Sequence, residues 1–251
     1  MEMMDARLAV IDRRLENVKK IIAVSGGKGG VGKSLTASIM ALIFSKKGYK
    51  TGLLDLDFCG PSTHTILGIE RDLPAEEKGI IPPNPLGFKF MSIIYYAGDN
   101  PNPLRGIDIS NAIIELLSIT RWGALDFLVI DMPPGIGDTT MEVIRLLKRA
   151  NFLLITTESK VAFSVLEKLI SMLKELNVSI IGVIENMKLT SSTIYMEKIS
   201  QRNVHFLGEI DFERELDDAI GNTDKLLKSR FARRLRDILE REEFKLEDES
   251  L

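Results

Sequence analysis

The segment that most constrains this chain is residues 27–34, GKGGVGKS, which lie between an apolar run at 19–25 and a helix-forming stretch at about 33–47. They fit the pattern G-x-x-x-x-G-K-[ST], in which glycines let backbone N–H groups turn inward around phosphates at a helix start. Lys33 would reach the β and γ phosphates, and the Ser34 hydroxyl would ligate Mg²⁺. The sequence therefore predicts a phosphate loop between a strand and a helix.

We assign the predicted nucleotide contacts to this loop and the residue that follows it. They are Gly27, Lys28, Gly29, Gly30, Val31, Gly32, Lys33, Ser34 and Leu35. Lys33 alone is sufficient to bind one nucleotide's phosphates, so the second ammonium, on Lys28, requires a separate explanation.

Apolar runs alternate with amphipathic segments along most of the 251 residues. The runs at 49–57, 125–132, 151–157 and 178–185 are nearly continuous in Val, Ile and Leu, which is typical of parallel strands covered on both faces. Helical patterns lie at about 107–120, 139–149, 160–176 and 223–241. We predict an α/β fold with a doubly wound, mostly parallel sheet. Residues 68–106, rich in Pro and Gly, are predicted to form a surface excursion around a short strand at 88–94.

An apolar stripe precedes the first strand, at Met4, Leu8, Ile11, Leu15 and Val18. Spacings of three and four residues predict an amphipathic N-terminal helix over 1–18. The helix could pack on its own domain, or it could bind a partner protein or a second copy. We predict that 19–241 form the nucleotide-binding domain and that 242–251 form an acidic tail that frays.

Composition excludes several classes of site. The net charge is −3, no apolar run approaches the roughly 18 residues of a membrane helix, and the charged N-terminus lacks the features of a signal peptide. We expect a cytoplasmic protein that binds neither membrane nor nucleic acid. With one cysteine, Cys59, the chain has no internal disulfide or C-x-x-C pair, and its histidines are His64 and His205. Cys59 and His64 remain open as metal ligands or as packing residues, and His205 is predicted to be structural.

Two aspartates should meet at the carboxyl edge of the sheet, beside the phosphate loop. Asp131 closes the run at 125–131 and precedes MPPGIGD, and Asp57 follows the run LLDLD. We predict that Asp131 holds Mg²⁺ through water and that Asp57 orients the attacking water or helps to hold the metal. Asp55 should face the same side. Each could instead act only as a strand-end cap.

The phosphate loop, DLDFCGPS, WGALDFLVIDMPPGIGD and GVIENM occur in an order that resembles the MinD/Mrp/ParA group of ATPases, the Mrp branch most closely. The resemblance covers most of residues 20–222. It implies an ATPase that binds ATP or ADP with Mg²⁺ and forms a homodimer when ATP is bound. It further implies that Lys28 reaches the nucleotide of the facing subunit, that Asp57 and Asp131 lie in two switch segments, and that Asn186 reads adenine.

Departures from the group narrow the expected function. Iron–sulfur carriers of the Mrp branch have a C-x-x-C pair after the Glu-Asn-Met stretch, whereas this chain reads ENMKLTSSTIYMEKISQ, without cysteine. The absence disfavours cluster carriage, because such clusters need thiolates. MinD proteins end in a basic membrane helix, unlike FKLEDES here. Ile136, Leu35 and Asp211 also differ from the family's usual residues. A partition ATPase that binds DNA would need a basic strip, for which the only candidate is the cluster Arg230, Arg233, Arg234 and Arg236.

The added N-terminal helix and the missing cysteines together resemble the archaeal ATPase-type HypB. This resemblance implies assistance in nickel insertion into [NiFe] hydrogenase. It also implies that the N-terminal stripe docks the nickel chaperone HypA, and that the hydrogenase large subunit is an indirect client. The alternatives are a ParA-like or MinD-like positioning ATPase and an Mrp-type iron–sulfur carrier.

Overall fold

A computed structural model describes residues 6–58, 60–70, 73–97 and 107–246. Within these ranges the strands are β1 Val18–Ser25, β2 Thr51–Asp55, β3 Ala75–Glu76, β4 Ile80–Ile81, β5 Lys89–Ser92, β6 Leu125–Asp131, β7 Ala150–Thr157, β8 Ile180–Lys188 and β9 Phe206–Asp211. The helices are α1 Ala6–Leu15, α2 Lys33–Lys46, α3 Thr63–Leu67, α4 Ile94–Ala97, α5 Ile107–Ile119, α6 Asp138–Leu146, α7 Lys160–Glu175, α8 Ile194–Gln201, α9 Thr223–Lys228 and α10 Arg230–Leu239. Two 3-10 turns lie at Arg214–Ala219 and Glu242–Phe244.

Seven strands form one parallel sheet in the order β5-β2-β6-β1-β7-β8-β9. The strand before the phosphate loop, β1, lies at the centre, between β6 and β7. Its residues Ile21 to Ser25 are all buried, as expected for a strand with helices on both faces. The predicted doubly wound α/β fold is confirmed. The carboxyl ends of β1, β2, β6, β7 and β8 meet at one edge, where the functional side chains collect.

The N-terminal helix α1 packs on its own domain. Ile11 and Leu15 are almost fully buried, and α1 lies against α5. Two arginines fix the helix from outside: Arg14 Nε donates to the carbonyl of Ser118 at 2.9 Å, and Arg149 donates to the carbonyls of Leu15 and Val18. The apolar stripe is therefore covered from Ile11 onward, while Met4 lies outside the described residues.

The excursion at 68–106 is partly built into the sheet. β5 lies within the run at 88–94 that is predicted to form a short strand, and it pairs in parallel with β2 at one edge of the sheet, a pairing that the sequence did not predict. β3 and β4 form a separate two-stranded antiparallel unit. The start of the predicted tail is also held, because Phe244 is 2% exposed and Lys20 Nζ donates to the carbonyls of Glu243 and Lys245. Among the described helices, none has the length and apolar character to cross a bilayer.

Candidate functional site

The phosphate loop connects β1 to α2, and its shape is set by glycine and by the elements packed around it. Gly30 and Gly32 have φ of 77° and 94°, which side chains rarely tolerate. A Cβ on Gly27 would lie 2.8 Å from the backbone of Val165 and Leu166 in α7, so the loop rests directly on that helix. Packing against α7 and the glycine conformations therefore set the curve of the loop.

Lys33 is the first residue of α2 and is 6% exposed. Burial lowers the pKa of its ammonium, while the charges of Asp131 and Asp57 raise it. Thr36 donates to the carbonyl of Gly32 through both its N–H and its hydroxyl, at 3.0 and 2.8 Å, which closes the first turn of the helix. Lys33 is thus a cation that lacks full solvation and is poised for an anionic ligand.

Asp131 and Asp55 are paired neighbours at the ends of β6 and β2, and both are fully buried. Asp55 accepts hydrogen bonds from the Thr63 hydroxyl at 2.6 Å and from the N–H of Asp57 at 3.0 Å. Burial nevertheless raises the pKa of Asp55 to about 6. Because two carboxyl groups lie close together in a buried site, full ionisation of both is disfavoured.

Asp131 is a buried carboxylate whose charge is poorly compensated by the described residues. Within the described residues, neither of its oxygens accepts a hydrogen bond of good geometry, although the Ser34 hydroxyl is close enough to lower the pKa of Asp131. Burial raises its pKa well above the ordinary value, the charge of Asp55 adds to this, and the Ser34 hydroxyl and Lys33 ammonium oppose it. An unsatisfied buried carboxylate is costly, and a cation would satisfy it. The residues predicted for Mg²⁺, namely Ser34, Asp57 and Asp131, fit such an ion, since Mg²⁺ takes one or two carboxylates together with substrate phosphates.

Asp57 lies in the turn after β2, where its Oδ1 accepts from the N–H of Gly60 at 3.1 Å. The next candidate ligand, Cys59, lies outside the described residues, so its role stays a prediction. His64 contacts the Thr65 hydroxyl at 3.1 Å, and His205 contacts Glu243 at 3.1 Å. Across the described ranges, no three His, Cys, Asp or Glu side chains are grouped to hold a metal by themselves.

Asn186 lies near the end of β8 and contacts the phosphate loop directly. It is 2% exposed, and its Nδ2 donates to the carbonyl of Val31 at 2.9 Å. A Cβ on Gly32 would lie 2.3 Å from that same nitrogen. The structure therefore gives Asn186 a role that the sequence did not indicate, as a brace for the loop. Its predicted contact with adenine stays a prediction.

A cavity of about 780 Å³ lies beside the first turn of α2. Leu35 lines one side and the exposed Phe212 the other. Phe212 follows Asp211, which ends β9, and its N–H donates to the carbonyl of Lys188 at 2.9 Å. Phe212 is a cavity-lining residue that the sequence did not single out.

Lys28, Gly29 and Gly30 are exposed on the outer side of the loop. A Cβ on Gly29 or Gly30 would meet no atom within 4 Å among the described residues. The open surface suits the predicted reach of Lys28 toward a second subunit, which stays a prediction. Ile136, in the second predicted switch segment, is half-buried and packs against the core.

The arginine cluster on α10 is interleaved with acidic groups. Arg230 lies 3.8 Å from Glu213 and 3.5 Å from Glu215. Arg234 donates to the carbonyl of Glu209 at 2.9 Å. These contacts match the arrangement of a solvated helix face.

Comparisons with known proteins place this arrangement in a family. The ParA family model, described as NUBPL iron-transfer P-loop NTPase, matches residues 17–241. Iron–sulfur cluster carrier proteins are similar: the one from Aquifex aeolicus is 41% identical over 70% of this chain and 49% of its own length. The one from Clostridium perfringens is 31% identical over 82% of this chain and 80% of its own. The chain spans about half to two thirds of the length of several of these relatives.

Solved structures agree on the fold. A nucleotide-binding protein from Archaeoglobus fulgidus, in complex with ADP and with cobalt, is 29% identical with a TM-score of 0.77, covering 90% of this chain and 95% of that one. The cell-division ATPase MinD of Pyrococcus furiosus superposes with a TM-score of 0.66 at 18% identity, covering 89% of this chain and 98% of that one.

These matches correct the expected function. The curated relatives are named for iron–sulfur cluster carriage and the family model for iron transfer. The expectations of a HypB-type protein, nickel insertion into hydrogenase, docking of HypA and a hydrogenase client are therefore wrong. The covered stripe on α1 is consistent with this correction, because Ile11 and Leu15 are not available to a partner. The chain belongs to the MinD/Mrp/ParA class of P-loop NTPases, in the ParA family that includes the iron-transfer NTPases.

Proposed function

We propose that this chain is an ATP-hydrolysing switch that serves iron–sulfur cluster transfer. The observation that carries the proposal is the buried Asp131, which accepts no hydrogen bond of good geometry from the described residues and lies near the buried cation Lys33 at the end of the phosphate loop. Such a pair suits a magnesium–triphosphate ligand. The names of the curated relatives support the assignment to iron–sulfur transfer.

Each residue would have a separate task in hydrolysis. Lys33 would neutralise the β and γ phosphates, and Asp57, at the start of the turn after β2, would orient the attacking water. Lys28, exposed on the outer side of the loop, would reach the nucleotide of a facing copy. Bound Mg²⁺, held by Ser34 and Asp131, would stabilise the charge on the phosphate oxygens.

Binding an iron–sulfur cluster requires more thiolate ligands than this chain has. Cys59 is its single thiol, so two copies would provide two thiolates. Iron–sulfur clusters are commonly held by four. We therefore propose that two copies of the chain dimerise when ATP is bound and then bind a partner protein that carries thiols. The partner supplies the remaining ligands for the cluster.

The proposal is tested in two stages. First, hydrolysis of ATP is measured with and without Mg²⁺ for the wild type and for Lys33→Met, for which we expect a loss of at least about a hundredfold. Second, transfer of a preformed cluster to an apo acceptor protein is measured under anaerobic conditions with ATP, with ADP and with no nucleotide. We expect transfer to depend on ATP. Hydrolysis without any effect of the chain on cluster transfer would refute the iron–sulfur role and leave the ATPase intact.

A further inference from the structure

A buried ion pair lies at the end of β8, on either side of the loop brace Asn186. Lys188 Nζ lies 2.7 Å from Glu185 Oε2, and the side chains of both residues are at least 95% buried. The residue next to Asn186, Met187, has a φ of 55°, which is uncommon for a residue other than glycine. The pairing of β8 with β9 also shifts register between Glu185 and Lys188. The ion pair therefore bridges an irregular segment that contains Asn186.

Lys188 also fixes that segment to its neighbours. Its ammonium lies 3.2 Å from Glu209 in β9 and 3.9 Å from Glu158, which follows β7. It donates to the carbonyl of Ser192, and its own carbonyl accepts from Phe212. The Lys188 side chain thus contacts β9, the residue that follows β7 and its own strand β8, and these contacts restrain the irregular segment that contains Asn186.

We propose that the Glu185–Lys188 ion pair positions Asn186 against the phosphate loop and thereby sets the loop's affinity for nucleotide. Asn186 reaches the loop through one hydrogen bond, from Nδ2 to the carbonyl of Val31 at 2.9 Å. A hydrogen bond of this kind forms only if the backbone that carries the amide keeps its place. The proposal rests on the nucleotide-binding function proposed above.

General energetics favour a positioning role over simple stabilisation. A buried ion pair contributes little net stability, because the desolvation of both charges offsets their attraction. Glu185 illustrates the cost: its Oε1 has no hydrogen-bond partner in the described part of the chain. The pair instead fixes the geometry of the two residues between Glu185 and Lys188, and one of these two is Asn186, which contacts the phosphate loop.

The first test is a double-mutant cycle on ATP affinity, measured by calorimetry. Lys188→Met and Asn186→Ala should each weaken ATP binding on the order of tenfold, the equivalent of one lost buried hydrogen bond. The combined variant should bind no more weakly than Asn186→Ala alone, because Lys188 acts on the loop only through Asn186. Lys188→Arg should restore most of the affinity. As a matched control, Lys47→Met removes an exposed lysine, 3.2 Å from Glu240, and should leave affinity unchanged.

The second measurement is amide hydrogen exchange in the protein without nucleotide. Lys188→Met should increase exchange in the phosphate loop while the core strands stay protected. If the single variant unfolds because Glu185 is left unpaired, Glu185→Gln with Lys188→Met removes both charges and should show the same loss. Additive effects in the cycle, or unchanged loop exchange in a folded variant, would overturn the proposal. A wild type that binds no ATP would instead refute the proposed function, and loop exchange would still decide the positioning role.

Discussion

Replacing Asp131 by Asn should stabilise the protein without nucleotide at neutral pH while abolishing hydrolysis. Asp131 is fully buried, and its oxygens accept no hydrogen bond of good geometry from the described residues. Ionisation there costs several kcal/mol of desolvation, and the Ser34 hydroxyl and the charge of Lys33 offset part of that cost. Because the net shift raises the pKa of Asp131, the ionised form destabilises the folded state. We expect the free energy of unfolding to rise by about 2 kcal/mol.

The pH dependence gives the sign of this effect. A carboxyl whose folded pKa is raised contributes its stability below its unfolded pKa, about 3.9, and loses it as the pH rises through the folded value. Asn cannot ionise, so the difference between variant and wild type should be near zero at about pH 4 and largest at about pH 8. At pH 8 the melting temperature should rise by about 4–8 °C for a chain of this size.

Urea denaturation at several pH values measures the difference directly. Asp126→Asn is the matched control, because Asp126 shows the opposite shift. Partial burial opposes ionisation there, but the N–H of Lys50 and the ammonium of Lys19, 3.0 Å away, lower the pKa of Asp126 overall. That control should lose stability at pH 8. An Asp131→Asn protein that is less stable than the wild type at pH 8, or one that shows an unchanged pH slope, would refute the reasoning.

Two further predictions concern the loop and the N-terminal helix. Gly27→Ala should weaken ATP binding by at least about tenfold, because its Cβ would approach the backbone of α7 to 2.8 Å and force the loop outward. Calorimetry measures this, and Lys47→Met, at an exposed position outside the loop, should bind normally. Ile11→Ala should lower the free energy of unfolding by about 3 kcal/mol, since Ile11 is 1% exposed, whereas the exposed Asp12→Ala should change it by less than about 0.5 kcal/mol. An Ile11→Ala protein as stable as the wild type would show that α1 does not belong to the core.

The sheet and the loop could be predicted because their signals are local. A glycine-rich turn between an apolar run and a helix admits few structures, and Asp131 stands where a buried strand must end. The surface against which the N-terminal apolar stripe packs could not be predicted, because periodicity shows that a helix has an apolar face but not what covers that face. The contact from Asn186 to Val31 joins residues 155 positions apart, and only the strand order brings them together.

The functional error has a similar physical origin. The absence of thiolates after Asn186 suggests another branch of the group, and an additional amphipathic helix suggests a docking site. Thiolates determine how a metal cargo is bound, however, while the family is defined by the nucleotide core, which the comparisons match across residues 17–241. Ligand residues and core residues can therefore vary independently within one family.

The central place of β1 in the sheet has a consequence for synthesis of the chain. Its two neighbours are β6 and β7, so its pairing is complete only when residues up to Leu154 are available. A parallel sheet assembled from strands so distant in sequence forms slowly, because long loops must close first. During translation, the loop residues would emerge early but would lack the supports that shape them. Nucleotide would then bind and stabilise the chain only after β1 has paired with β6 and β7. Nucleotide binding would therefore indicate that the centre of the sheet has formed.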